Sequence, residues 1–203
     1  MPLNLVPHLI WWAFILLLLP VPASAHAITG SGFTSGMLHP ILGLDHLLAM
    51  VSVGILSAQL GGRAILTVPA AFVSCMIIGG IMGILGIQWP GVELGITFSV
   101  IFLGIALAAH GRIPVWVGLG LAGFFGIFHG HAHGVEMPEV ADPLWFTLGF
   151  VMGTVAMHLT GVLIGLVAER TPRGDQWLRY VGAGISGIGI HILYQLVAPL
   201  GML

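Results

Sequence analysis

The sequence predicts an all-α membrane protein in which an N-terminal signal peptide precedes a bundle of six transmembrane helices. Of the 203 residues, 58% are hydrophobic and only 6% are charged, whereas soluble domains carry about 25% charged residues. The mean hydropathy of +1.09 points the same way. A formal net charge of -2 excludes a nucleic-acid-binding protein, which needs basic residues against phosphates. The single cysteine excludes a disulfide scaffold and any site built from several cysteines.

Residues 1–25 have the organisation of a secretory signal peptide. An apolar stretch over 9–19 is followed by two prolines, and Ala23–Ala25 fits the small-residue rule for cleavage. Residues 1–8 contain no Lys or Arg, so an uncleaved first helix is the alternative. In either case the chain that follows, residues 26–203, starts on the outer side and forms one six-helix transmembrane domain.

Six apolar segments after the leader are long enough to cross a bilayer, which takes about 20 residues. Prolines at the segment starts and Trp or Tyr at the interfaces help to mark their ends. The predicted spans are 38–60, 64–87, 92–110, 113–131, 144–168 and 180–201.

The arginines predict the orientation of these spans. The protein has five arginines and no lysine, and with the start of the mature chain outside, every arginine falls in a cytoplasmic loop: Arg63, Arg112, Arg170, Arg173 and Arg179. Cytoplasmic loops of membrane proteins are enriched in Lys and Arg. Both ends of the mature chain are therefore expected outside.

Glycines at four-residue spacing predict close helix packing, because small residues let helix backbones approach in lipid. The pairs are Gly79 with Gly83, Gly149 with Gly153, and Gly161 with Gly165.

The first span carries an unusual polar motif that begins at His39-Pro40 and ends at Asp45-His46. A carboxylate at a helix centre costs roughly 2.5–3.5 kcal/mol on insertion scales, so it is kept for pairing or function. His39 and His46 share a helix face but lie about 10 Å apart along a straight helix. They either form successive stations for an ion, or Pro40 and Gly43 distort the helix and bring them together. Asp45 either binds the ion or orients a histidine, and a structural Asp–His hydrogen bond between helices is the alternative.

A second motif, Phe128–Glu136, closes the fourth span with three alternating histidines and a glutamate. His129 and His133 share a face if the helix persists. Imidazole suits nickel, copper, zinc and iron, and a carboxylate adds a hard ligand, so His129, His131, His133 and Glu136 are candidate metal ligands. The alternative is a solvated polar loop that ends the helix.

Four further polar residues extend this pattern. Glu93 opens the third span on the outer side and is a candidate ligand, with an ordinary interface charge as the alternative. His158 and His191 lie deeper and are candidate relay residues, although each alone is typical of a packing histidine. His110 is interpreted as interfacial, with an exit ligand as the alternative. The outer position of most polar residues predicts an ion path from outside.

No motif for catalysis accompanies these residues. The sequence lacks H-E-x-x-H, G-x-S-x-G and a phosphate-binding loop. We therefore expect no enzyme and no permanently bound cofactor, with a divalent metal ion as the transported substrate.

At these two motifs the chain resembles the HupE/UreJ family of hydrogenase and urease accessory proteins. The resemblance rests on 39–50 and 128–136, and the leader, spans and length agree with it. It implies a nickel permease of the bacterial inner membrane that supplies hydrogenase or urease maturation proteins. The positions that it implies for metal binding are His39, Asp45, His46, Glu93, His133 and Glu136.

The sequence is also compatible with three other functions. Cobalt is the first alternative ion, followed by copper or zinc. A non-transporting accessory protein that hands on metal is a second alternative, and a membrane enzyme with bound metal is a third.

The mechanism that we expect is facilitated uptake of Ni²⁺. His131, His133 and Glu136 would capture the ion, the motif around Asp45 would replace its water, and His158 and His191 would relay it inward. A divalent ion gains about 4.6 kcal/mol per 100 mV of inside-negative potential, so ATP is not needed. We expect uptake to fall as the pH drops through about 6, where imidazoles gain a proton and stop binding metal.

Overall fold

The computed structural model describes residues 32–110, 112–136 and 142–200, without the side chains of Glu136 and Leu200. The predicted signal peptide lies outside the described residues. The described residues form seven α-helices and a final 3-10 turn, Ala198–Leu200, and contain no β-strand. The helices are α1 (Gly32–Leu42), α2 (Leu44–Leu60), α3 (Ala64–Ile84), α4 (Val92–Ala109), α5 (Val115–Glu136), α6 (Pro143–Glu169) and α7 (Gly174–Val197).

The prediction of a helical membrane bundle is confirmed. Helices α3 to α7 are each long and apolar enough to span a membrane, and α1 and α2 together pass the same test as a bent pair, which makes up to six candidate spans. Three boundaries differ from the predicted ones by five residues or more. The first span was expected to begin at 38, but α1 begins at Gly32. The fourth span was expected to end at 131, but α5 continues to Glu136, and the sixth was expected from 180, but α7 begins at Gly174.

The predicted first span is broken rather than straight. Helices α1 and α2 meet at an angle of 84°. Gly43, between them, has an extended backbone with φ -87 and ψ 116. Pro40, near the end of α1, has no N–H to continue the helical hydrogen bonds. Helix α2 then starts afresh, as the Leu47 N–H donates to the Gly43 carbonyl over 2.9 Å.

Helix α2 is the central helix of the bundle. Every residue from Leu47 to Ala58 is buried. Helices α3, α4 and α6 pack along it, and α1, α5 and α7 also touch it. A helix that is covered on all sides needs apolar or small residues all round, which this segment has. A polar residue within this buried stretch, such as Ser52, is therefore held inside the protein.

Glycines form close backbone contacts between helices, as their spacing predicted. Gly104 of α4 and Gly182 of α7 provide a further contact of this kind. The predicted pairs contact three partners: Gly79 and Gly83 of α3 lie against α5, Gly149 and Gly153 of α6 against α1, and Gly161 and Gly165 of α6 against α2. These contacts set how far the helices are shifted along one another. They therefore also set the positions of the polar side chains that the helices carry.

We expect Gly130→Ala to lower the melting temperature of the purified protein. Its Cβ would overlap the Met76 carbonyl oxygen and lie 2.9 Å from the Gly80 nitrogen, and such overpacking costs about 1–3 kcal/mol. Gly120→Ala on the same helix is the control, because no atom of a neighbouring helix lies within 4 Å of its Cβ. Equal melting temperatures for the two variants would contradict the close contact of α3 with α5.

The two ends of the bundle differ in chemistry. Helices α2, α4 and α6 end on the same side, where Gln59 contacts His110 and His110 contacts Glu169. We call this side the arginine end, because its connections contain Arg63, Arg112, Arg170 and Arg173, and Arg179 lies in the second turn of α7. The opposite side, where α2 begins and α5 ends, is the histidine end.

Candidate functional site

Four histidine rings meet at the histidine end of the bundle, and we call them the histidine cluster: His39 from α1, His46 from α2, and His129 and His133 from α5. The centroid of the His133 ring lies 4.7 Å from that of His39 and 4.4 Å from that of His46. The His46 ring lies 4.7 Å from the His129 ring. Three helices therefore contribute to one group of imidazoles.

The break at Gly43 explains how the two histidines of the first motif reach one place. On a straight helix they would be about 10 Å apart, whereas here His39 and His46 both contact His133. Of the two arrangements that the sequence left open, the structure has the distorted one. A side chain at position 43 would not fit well, because its Cβ would lie 3.0 Å from both the Asp45 Oδ1 and the His46 Nδ1.

Asp45 orients His46 rather than a histidine of another helix. Its Oδ1 lies 2.8 Å from the His46 Nδ1 and also accepts the His46 backbone N–H. An ionised carboxylate only accepts hydrogen bonds, so the His46 Nδ1 carries the ring proton. The His46 Nε2 keeps its lone pair, and it is buried without a hydrogen-bond partner among the described residues. This is how an outer carboxylate prepares an imidazole for metal binding.

Ser99 of α4 sets the orientation of His129 in a similar way. The Ser99 hydroxyl donates to the Ile96 carbonyl over 2.6 Å and lies 2.8 Å from the His129 Nε2. Because its one proton is used, the hydroxyl accepts from Nε2–H. The lone pair of His129 is then on Nδ1, which is buried and has no partner in the part of the chain that the structure describes.

The two α5 histidines of the cluster are buried, and a small cavity lies next to one of them. His129 is 0% exposed and His133 is 4% exposed. A cavity of about 90 Å³ between α3, α5 and α6 has His133 on its wall, together with apolar residues such as Met76 and Phe150. His133 is thus the member of the cluster that this cavity reaches.

Phe72 of α3 separates the cluster from a deeper histidine. Its ring is fully buried and lies 5.5 Å from the His129 ring and 5.1 Å from the His158 ring of α6. His158 is 2% exposed, and neither of its ring nitrogens has a hydrogen-bond partner among the described residues. A buried polar group without a partner is rare, and this one stands halfway along a membrane span.

Two predicted histidines point elsewhere. His131 is buried, but its Nε2 donates to the Ile87 carbonyl over 2.7 Å and its ring lies beside Trp89. It therefore faces the connection between α3 and α4. His191 is exposed on α7 and contacts Gln195 over 3.1 Å. It therefore does not share the interior that holds His158.

The two predicted glutamates belong to the same end of the bundle. Glu93 lies in the first turn of α4 and is exposed. Glu136 is the last residue of α5, and its side chain is not among those that the structure describes. Their parts in metal binding stay predictions.

The cluster supplies donor atoms rather than a finished ligand set. Within 32–110, 112–136 and 142–200, no group of three or more His, Cys, Asp or Glu side chains has the geometry to hold a metal ion. In the histidine cluster, His39 packs edge to face with His133, and His46 does so with His129. A metal ion instead needs ring nitrogens that point at it from about 2.0–2.1 Å. An ion can therefore bind here only if the rings rotate towards it.

Comparisons with known proteins show the family of this chain. The family model for HupE / UreJ protein matches residues 14–192. Protein HupE of Rhizobium leguminosarum bv. viciae is 41% identical over 179 residues, which is 86% of this chain and 93% of that relative. No solved structure matches the chain significantly. By both matches, this chain belongs to the HupE/UreJ family.

Proposed function

We propose that this protein carries nickel ions across the bacterial inner membrane and so supplies the maturation of hydrogenase or urease. The ion is the substrate, and the histidine cluster is where imidazole nitrogens replace its water. Membership of the HupE/UreJ family supports this role.

The observation that carries the proposal is the pair of prepared imidazoles at the break of a span. The ring N–H groups of His46 and His129 donate to Asp45 and Ser99, which leaves buried lone pairs on the His46 Nε2 and the His129 Nδ1. Transporters commonly place substrate sites at breaks in membrane helices, because irregular backbone there is enclosed by protein. A site made of rings that must rotate also fits transport, since an ion has to leave as well as enter.

The path that we propose runs from the histidine end to the arginine end. The positive-inside rule supports an orientation with the arginine end in the cytoplasm and the histidine end outside. The ion reaches His133 first, passes to His46 and His129, and then moves past Phe72 to His158. The inside-negative potential drives it, at about 4.6 kcal/mol per 100 mV for a divalent ion.

The identity of the ion rests on the family and not on the ligands. Imidazole binds nickel, cobalt, copper and zinc, and selectivity among them depends on geometry and availability. Cobalt is the next candidate.

Uptake of ⁶³Ni²⁺ into proteoliposomes tests the proposal. We expect the intact protein to accumulate nickel under an inside-negative potential, and His46→Ala to reduce uptake to the level of protein-free vesicles, because it removes a prepared nitrogen. An excess of unlabelled Ni²⁺, Co²⁺ or Zn²⁺ outside then ranks the ions by competition. Vesicles with intact protein that take up no more nickel than protein-free vesicles would overturn the proposal.

A further inference from the structure

A second polar cluster lies at the arginine end, where three helices end together. Gln59 of α2, His110 after α4 and Glu169 of α6 form it, and we call it the exit cluster. The Gln59 Nε2 lies 3.0 Å from the His110 Nδ1 and 3.3 Å from the Leu107 carbonyl oxygen. The His110 Nε2 lies 3.7 Å from the Glu169 Oε1. Helix C-termini carry partial negative charge, so their meeting favours a cation.

The spacing between His110 and Glu169 is that of an ion pair, and it is close to the spacing of two ligands on one metal ion. A separation of 3.7 Å is too long for an N–H···O bond. Two metal–ligand bonds of about 2.1 Å to a first-row ion bring their ligand atoms to about 3.4 Å at a tetrahedral angle, so a side-chain movement of about 0.3 Å lets one ion bind both atoms. Their side chains are 25% and 38% exposed, so the position is open to water.

Gln59 controls which nitrogen of His110 can bind. An amide NH₂ only donates, so the His110 Nδ1 accepts and the ring proton is on Nε2. An ion that binds at Nε2 moves this proton to Nδ1. Rotation of the Gln59 amide then presents Oε1 as the acceptor, and this atom is buried without a partner among the described residues.

One face of the central helix joins the two ends. Asp45, Ser52 and Gln59 are seven residues apart, so they share a face of α2 and span about 21 Å along its axis. The Ser52 hydroxyl oxygen is also buried, with no hydrogen-bond partner in the described part of the chain. Polar groups on an enclosed membrane helix typically mark an ion path.

We propose that the exit cluster is a second divalent-metal site, with His110 Nε2 and Glu169 as ligands and Gln59 as the positioning residue, from which the ion is released. This inference rests on the proposed function. Two ligands make a weak site, and Arg179, which donates to the Ala108 carbonyl, and Arg170 next to Glu169 weaken it further by repulsion. Weak binding is what release requires.

Equilibrium dialysis of the full chain in detergent with ⁶³Ni²⁺ tests the site directly. We expect two classes of site in the unaltered protein. The double variant His110→Asn with Glu169→Gln should lose the weaker class and keep the tighter one, whereas His46→Ala should lose the tighter class. Asn suits position 110 because His110 has φ 46, a conformation that Asn tolerates, and its amide can still contact Gln59.

Uptake into proteoliposomes distinguishes a release site from a structural contact. The double variant should lower the maximal rate severalfold and leave KM for nickel unchanged, because capture at the histidine end is intact. Asp175→Asn is the control, since it removes an exposed acid from the same end without touching the exit cluster. Glu169→Gln alone keeps the test valid if the double variant does not elute as a folded protein.

Unchanged binding classes together with an unchanged maximal rate would overturn this inference. Unaltered protein that moves no nickel would overturn the proposed function instead, and the dialysis result would still decide whether the exit cluster binds metal.

Discussion

Replacing His133 with alanine is expected to abolish nickel uptake, while His131→Ala leaves uptake close to that of the unaltered protein. The His133 ring contacts both His39 and His46 and lies on the wall of the cavity beside the cluster. The His133→Ala variant lacks the ring that contacts His39 of α1 and His46 of α2 at the same time. Loss of an outer partner of a metal ligand costs about 10–100-fold, and we expect the loss of this ring to exceed that range.

His131→Ala is a matched control because the two histidines are two residues apart on α5, and each is 4% exposed. It removes the hydrogen bond from His131 to the Ile87 carbonyl. A hydrogen bond of this kind contributes about 0.5–1.5 kcal/mol to the free energy of unfolding. His131→Ala should therefore lower the melting temperature slightly and keep transport, whereas folded His133→Ala should not transport. Equal loss of uptake in both variants would show that the histidine tract acts as a whole and would contradict the role given to His133.

The periodicity of α5 decides which of these histidines could be identified from the sequence. His129 and His133 are four residues apart, so they were expected to share a face if the helix persisted, and both join the cluster. His131 lies between them and points away. No local pattern indicates that the helix runs on to Glu136, so all three histidines are candidate metal ligands from the sequence alone.

The break of the first span could be anticipated only in part. Pro40 and Gly43 were recognised as residues that distort a helix, but not the bend of 84°. That angle depends on packing against α6, where Gly149 and Gly153 let α1 approach closely. A contact between segments more than a hundred residues apart leaves no local pattern in the sequence.

Phe72 and Ser99 were not predicted at all. Phe72 is one of ten phenylalanines in the chain, and nothing in its neighbourhood marks it out from lipid-facing ones. Ser99 offered a weak sign, because a hydroxyl within an apolar span needs a hydrogen-bond partner. Only the packing of α4 against α5 shows that the partner includes His129.

Asp45→Asn is expected to weaken nickel binding and uptake by about 10–100-fold without unfolding the protein. The carboxylate accepts from the His46 Nδ1 over 2.8 Å and so keeps the lone pair on Nε2. An asparagine amide can present its NH₂ group to Nδ1 instead, which would move the ring proton to Nε2 and block that nitrogen. Dialysis with ⁶³Ni²⁺ and uptake rates measure the two effects.

Asp142→Asn separates this orienting role from simple attraction of cations. Asp142 is exposed, caps α6 through the Leu144 and Trp145 N–H groups, and lies at the same end of the bundle. Asn caps helices as well as Asp does, so the variant removes one negative charge and keeps the fold. If Asp45 acted only through its charge, both variants would take up less nickel than the unaltered protein at low salt. The difference would shrink for both as added salt screens the attraction between carboxylate and cation. We expect a large, salt-independent loss for Asp45→Asn alone, because a misplaced proton on His46 is not corrected by ionic strength.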